Sequence, residues 1–487
     1  MKNYSLYIII FCSAIVLAGC KKYLDKEPDN RTHVTTPEQV AQLLTTAYPQ
    51  GNYILFCESM SDNAEDKQGG GTGYDFEDQI NRESFRFEEV QVTPEDIDGP
   101  NNYWNSCYKA IAAANQALEY ISQSKDPGQL NPHKGEALVA RAYAHFMLVT
   151  LFSKVYDPTT SGNDPGIPYV TVPETQIFQQ YKRGTVAQVY ENIEKDLQEG
   201  FPLIDDRIYG TAPKFHFNRK AAAAFAARFY LFKQDFQKVI DYATLALGDS
   251  PAEELRPWNG SWQNLQYAEL QAEYTKSTTP GNLLLQESNS VWGRSYPSLR
   301  YGLGESVANR IFRPNVSGGS YAFPLYGASP QSYNIPKFYE FFVTENINAT
   351  TGDPYNTIPL LTSEEALLNR AEAYGWKNNV QGAINDLNAF ISKNIADYTS
   401  ADNVNTSKLQ AYYGIPAQFA AINAALDFKR AFFLHEGLRW FDIIRLGIPV
   451  THTTAQGETF QLDPGDNRRV LQLPALTKQA GLEPNPR

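Results

Sequence analysis

The sequence predicts a mainly α-helical protein, built of helical hairpins and interrupted by a long, irregular, aromatic-rich insertion. Three observations carry that prediction. Apolar residues recur with a 3.6-residue period over most of the chain. Three helical segments share the pattern Ala-x-x-x-Arg, at Ala137/Arg141, Ala224/Arg228 and Ala366/Arg370. Between about residues 250 and 357 the period fades, and Gly, Pro, Asn, Tyr and Trp accumulate.

The chain opens with Lys2 and an almost unbroken apolar run from Tyr4 to Leu17, shorter than a membrane-spanning helix needs. The run ends in Leu17-Ala18-Gly19-Cys20, followed by a polar switch at Lys21-Lys22. This arrangement is similar to a bacterial lipobox. Residues 1–19 are therefore expected to be a lipoprotein signal peptide, and Cys20 the site of lipid attachment. Each buried CH₂ of an acyl anchor contributes about 0.8 kcal/mol. No later run is long and apolar enough to cross a bilayer.

Residues 61–78 are acidic and Gly-rich and break the helical pattern. Over 102–122, Tyr103, Cys107, Ala110, Ile111, Ala114 and Ile121 lie on one helical face. Pro132 can open the next helix, which runs to about Phe152. Thr185 caps a third amphipathic segment, 185–197. Two of the Ala-x-x-x-Arg helices, 221–232 and 364–374, continue through a turn into second helices, 235–247 and 380–391. The pairs resemble tetratricopeptide units, antiparallel hairpins that stack to bury their faces. Generic Ala-rich hairpins fit the same spacing; the matching second helices favour repeats.

Composition narrows the function. The 487 residues hold 42 Lys+Arg against 54 Asp+Glu, a net charge of −12, which argues against a general nucleic-acid binder. Aromatics reach 13%, and Tyr and Trp suit wet binding surfaces as well as cores. After processing, Cys57 and Cys107 remain, either as a disulfide or, as favoured here, as buried thiols. No HExxH, P-loop, dinucleotide fingerprint or Gly-x-Ser-x-Gly elbow occurs. A glycosidase pair of carboxylates has no sequence signature to test. Asp62, Glu65 and Asp66 read as a solvated acidic loop in preference to a cation site.

Three further segments carry a family resemblance. Cys20-Lys21-Lys22-Tyr23-Leu24-Asp25, followed by Pro28, is the first. Arg430 with the run Glu436-Gly437-Leu438-Arg439-Trp440-Phe441-Asp442-Ile443-Ile444-Arg445-Leu446-Gly447 is the second. Leu473-Pro474 through Asn485-Pro486 is the third. Together they resemble the SusD/RagB family of outer-membrane nutrient-binding lipoproteins. The resemblance implies one SusD-like domain over 20–487. Its helical-repeat scaffold would span about 38–250 and 358–450, and the irregular ligand region about 250–357. It implies a non-catalytic, cell-surface lipoprotein without a cofactor. Such a protein captures an oligosaccharide for carbohydrate uptake and polysaccharide utilization. It passes the ligand to a SusC-like TonB-dependent transporter. A peptide or other nutrient binder of the family, a surface glycoside hydrolase and a pure helical scaffold are the alternatives. Lys429 departs from the family, which usually has Glu there, and predicts a missing ion pair.

Arg439, Asp442 and Arg445 lie three residues apart on one helical side, so Asp442 is expected to bridge both arginines as a fold staple. Gly447 suits the helix end. For the ligand, the aromatics without a helical period are the candidates: Trp258, Trp262, Trp292 and Tyr296, with Tyr74 from the Gly-rich loop. Asn259, Asn289, Arg294 and Asn309 are candidate hydrogen-bond partners for sugar hydroxyls.

Overall fold

In the computed structural model, residues 36–174, 179–210, 212–328, 331–344, 346 and 349–487 are described. The lipobox-like segment and Cys20 lie outside them. Among the described residues no helix is long and apolar enough to cross a membrane. Residues Pro37–Arg487 form one compact unit.

The first half is helical. It comprises α1 (Pro37–Leu44), α2 (Ile54–Met60), α3 (Asp75–Phe85), α4 (Pro100–Gln123), α5 (Asn131–Phe152), α6 (Val186–Gly200), α7 (Arg219–Lys233) and α8 (Phe236–Leu247). Prolines at the first turns of α4 and α5 fit positions whose N–H groups have no helical partner. Thr185 caps α6 in a reciprocal box. Its hydroxyl accepts from Gln188 N at 3.2 Å, and Gln188 Oε1 accepts from Thr185 N at 3.0 Å. Helices α5 and α6 approach closely at Gly135 and Gly200. A Cβ on Gly135 would lie 2.9 Å from Gly200 O and 2.9 Å from Ile204 N.

The insertion holds α9 (Tyr267–Tyr274), α10 (Trp292–Ser295) and α11 (Glu305–Ile311) among short strands. Strand β1 (Glu65–Asp66) lies before the insertion, and its own strands are β2 (Asn282–Asn289), β3 (Tyr301–Gly302), β4 (Tyr326–Ala328), β5 (Ser332–Asn334), β6 (Glu340–Val343) and β7 (Asp353–Thr362), the last running out of it. The stretch read as irregular thus holds real pairing. Strand β7 lies between β2 and β6 in an antiparallel three-stranded sheet, and β1 pairs with β3. β7 runs into α12 (Ser363–Trp376), where Thr362 Oγ1 accepts from Glu365 N. Then come α13 (Val380–Asn394), α14 (Thr406–Tyr413), α15 (Ala417–Phe432) and α16 (Leu438–Leu446), and a hairpin of β8 (Val450–Thr453) and β9 (Thr459–Leu462).

The arginines of the shared pattern are buried clamps. Arg141 on α5 holds Asp196 on α6 at 2.7 Å, and Arg370 on α12 holds Asp386 on α13 at 2.7 Å. Arg228 on α7 pairs with Glu365 on α12 at 2.5 Å, linking the two helical regions. Alanines keep these helices close, and the planar guanidinium grips each carboxylate with two N–H groups.

The C-terminal motif departs from expectation in two ways. Asp442 bridges Arg445 at 2.6 Å and Lys429 at 2.8 Å, whereas Arg439 reaches across to Asp62 at 2.8 Å. Lys429 also lies 3.8 Å from Glu372, so the position supplies ion pairs. The helix places Arg439 on the side of the 61–66 loop, where a bidentate partner is in reach. Gly447 ends α16 with φ 63°, as expected. Cys57 and Cys107 are free and buried.

Candidate functional site

The acids Asp62 and Asp66 of the 61–78 segment are held in ion pairs instead of standing in solvent. Arg439 and Arg430 hold the Asp62 carboxylate, at 2.8 and 3.3 Å, and Arg300 holds Asp66 at 2.9 Å. Burial raises the Asp62 pKa, but the two guanidinium groups outweigh it and hold the carboxyl below its ordinary value. The pairing of β1 with β3 fixes the next turn, and Gly71 N donates to Ser298 O at 2.8 Å. Gly70 has φ 108°, and a Cβ there would stand 2.6 Å from Ser298 O, so only glycine fits. This path delivers Tyr74 to the surface, immediately before α3.

Tyr74 is 37% exposed. Its hydroxyl accepts from Arg294 Nη1 at 2.8 Å, and Arg294 Nε donates to Glu340 at 2.6 Å. The Arg294 guanidinium lies 5.8 Å from the Tyr74 ring centre and 5.2 Å from that of Phe342. Phe342, on β6, is 57% exposed. Phe76 lies beside Tyr74, with ring centres 6.0 Å apart. A loop, a one-turn helix and an edge strand therefore converge on one aromatic surface with a charged hydrogen-bonding centre.

Two buried carboxyls support it from beneath. Glu77 accepts from Ser295 Oγ at 2.6 Å, which ties α3 to the helix carrying Arg294. Desolvation, with the nearby charge of Asp98, pushes the Glu77 pKa up to about 8. Asp98 accepts from Ser290 Oγ at 2.5 Å and from Val291 N at 3.1 Å; burial raises its pKa to about 6.

The other aromatic candidates are core residues. Trp258, Trp262, Trp292 and Tyr296 are buried and present no face to a ligand. Trp258 packs edge-on against Trp262 at 5.0 Å and against Phe323 at 5.6 Å. Trp292 Nε1 donates to His435 O at 3.0 Å, and Tyr296 Oη to Ile335 O at 3.0 Å. Their burial follows from the insertion having its own core; Trp292 and Tyr296 find backbone partners for their polar edges, whereas Trp258 Nε1 is buried without one. Asn259 and Asn289 serve that core, donating to Ile395 O at 2.8 Å and Pro354 O at 3.1 Å. Asn309 is exposed on α11. Of the hydrogen-bonding candidates, Arg294 alone joins Tyr74. Sequence reasoning missed Glu340 and Phe342. The run Tyr339-Glu340-Phe341-Phe342-Val343 is too short to separate one strand face from the other by pattern.

Comparison with known proteins agrees with this architecture. The sequence model of a SusD-like family, described as "Starch-binding associating with outer membrane", matches residues 22–231. The fold matches a SusD superfamily protein from Bacteroides thetaiotaomicron with a TM-score of 0.67 at 20% identity, over 93% of this chain and 100% of that one. Its fold is SusD-like. Another structural neighbour is a SusD-like carbohydrate binding protein from Bacteroides vulgatus, with a TM-score of 0.61 and 16% identity over 91% of this chain and 96% of that one. SusD-like protein P2 from Formosa agariphila is 26% identical over 219 residues, 42% of this chain and 40% of that relative's length.

Proposed function

We propose that the SusD-like chain is a non-catalytic, cell-surface glycan-binding lipoprotein, anchored at the outer membrane through Cys20. It captures an oligosaccharide and passes it to a SusC-like TonB-dependent transporter. The observation that carries this reading is the exposed surface of Tyr74, Arg294 and Phe342 on a SusD-like fold. Sugar rings pack their C–H faces on aromatic planes, and a guanidinium donates to their hydroxyl oxygens. The family description and the carbohydrate-binding neighbour support the same ligand class. The carboxylates at this surface support binding over hydrolysis: Glu340 is held in an ion pair and Glu77 is buried.

A peptide ligand is the second reading. Strand β6 is an edge of its sheet beside Arg294, and an extended chain can add to such an edge by main-chain hydrogen bonds. A combined array of glycans and peptides separates the two readings. Calorimetry on the array hit should then show Tyr74→Ala and Phe342→Ala each losing about 2 kcal/mol, close to thirtyfold in affinity. The variants should stay folded, because both side chains are exposed. Wild-type affinity in both folded variants places the site elsewhere, and new reducing ends on incubation with the bound glycan make the protein an enzyme.

A further inference from the structure

A separate recess of about 330 Å³ lies where the C-terminal end of α5 meets the 157–164 loop and the 464–470 segment. Lys154, Thr160 and Pro464 on its rim are exposed. Deeper in, Ser153 and Asp164 are 3% and 9% exposed. Yet Ser153 Oγ and Asp164 Oδ2 have no hydrogen-bond partner within the protein. Unpaired buried oxygens of this kind are rare in native folds, because each has given up water for nothing.

The fold does not require the Asp164 side chain. The backbone holds the loop: Asp164 N donates to Thr160 O at 3.1 Å, and Val186 N donates to Asp164 O at 2.9 Å. The side chain makes one ion pair, Oδ1 to Lys154 Nζ at 3.1 Å, with a lysine that is 55% exposed. Ile444, Pro464 and Val470 give the lining an apolar part, beside the polar Asp466, Asn467 and Arg469.

We infer that this recess is a second ligand site, built for a neutral polyhydroxylated molecule about the size of one sugar ring. Hydroxyls of such a molecule donate to Asp164 Oδ2 and exchange hydrogen bonds with Ser153 Oγ, while its C–H face lies on the apolar part of the lining. The chemistry disfavours the charged alternatives. A cation meets the Lys154 ammonium and the Arg469 guanidinium, and among the described residues no group of three or more His, Cys, Asp or Glu is placed to hold a metal ion. An anion meets Asp157, Asp164 and Asp466. The volume falls in the usual range for small-molecule sites. The recess shares no residue with the Tyr74 surface, so this inference stands or falls independently of the proposed glycan site.

The test uses the purified protein with D-glucose, D-galactose and D-xylose as probes, read by ligand-observed NMR and calorimetry. The expected result is saturable millimolar binding of at least one sugar. Asp164→Asn and Ser153→Ala each weaken it tenfold or more, and Tyr74→Ala leaves it unchanged. Asn keeps the shape of Asp, and circular dichroism checks each fold. A Ser153→Thr variant, which fills the recess, provides a second blocking change if Ser153→Ala is unstable. Three results overturn the inference: no saturable binding of any probe, wild-type binding in the folded Asp164→Asn protein, or calcium chloride binding that Asp164→Asn abolishes.

Discussion

Glu77 carries a proton at neutral pH, and its Oε1 accepts from Ser295 beneath the Tyr74 surface. Its folded-state pKa, about 8, lies above the ordinary value of 4.5, first through desolvation and then through Asp98. The folded state therefore keeps a proton that the unfolded chain releases above pH 4.5. The stability from Glu77 is complete below 4.5 and is lost as pH rises towards about 8. Asp98 acts with the same sign over a lower window, from 3.8 to about 6. Glu77→Gln should remove this dependence, because an amide oxygen can still accept from Ser295. We expect the variant to be stabilised at pH 8 to 9 by about 1–3 kcal/mol, the usual cost of an unsatisfied buried polar group. Thermal melts of both proteins from pH 5 to 9 check it; parallel curves would show that Glu77 is not the titrating group. None of this is legible in the sequence, where Glu77 is one acid in an acidic loop and only the fold buries it.

At the scale of elements, local chemistry was the readable part. Thr185 as a cap, prolines at helix starts and Gly447 at a helix end each act within a few residues, so the sequence exposes them. The hairpin helices were legible for the same reason, through their apolar period. Strand β2 was not: its run Leu283-Leu284-Leu285 is buried without alternation, a pattern shared by helices and strands. The contact of α5 with α6 offers a direct test of element packing. Ala at Gly135 would press its Cβ on backbone atoms at 2.9 Å, and Ala at Gly200 would meet Leu138 Cβ at 2.8 Å. Backbone cannot yield as a flexible side chain does, so each change should cost about 1–3 kcal/mol. Gly162→Ala has nothing within 4 Å and should stay within about 0.5 kcal/mol of wild type. Chemical denaturation of the three variants gives the comparison; equal midpoints would mean that the two helices can separate at no cost.

For the whole molecule, the decisive pairings join residues far apart in the chain. Arg439 holds Asp62, Arg228 holds Glu365, and Trp292 donates to His435 O. No spacing rule gives such partners, which is why the aromatic candidates could be listed but not sorted into core and surface. The proposed anchor is a whole-molecule property of the opposite kind, written in one short segment. Cys20→Ala should move the protein from the membrane fraction to the soluble one, and mass spectrometry should find acyl chains only on the wild type. Retention of the variant with membranes, together with a wild type lacking acyl mass, would defeat the lipobox assignment. The arrangement of the Tyr74 surface has a bearing on descent. Tyr74 and Phe342 project outward from a loop and an edge strand, while the clamps formed by Arg141, Arg228 and Arg370 are buried elsewhere. Exposed positions accept substitution at little cost in stability, whereas removing one partner of a buried ion pair costs about 3–5 kcal/mol. On the proposed glycan-binding role, a chain of this architecture can exchange the Tyr74-surface side chains one at a time and change its ligand, while the clamped body changes slowly.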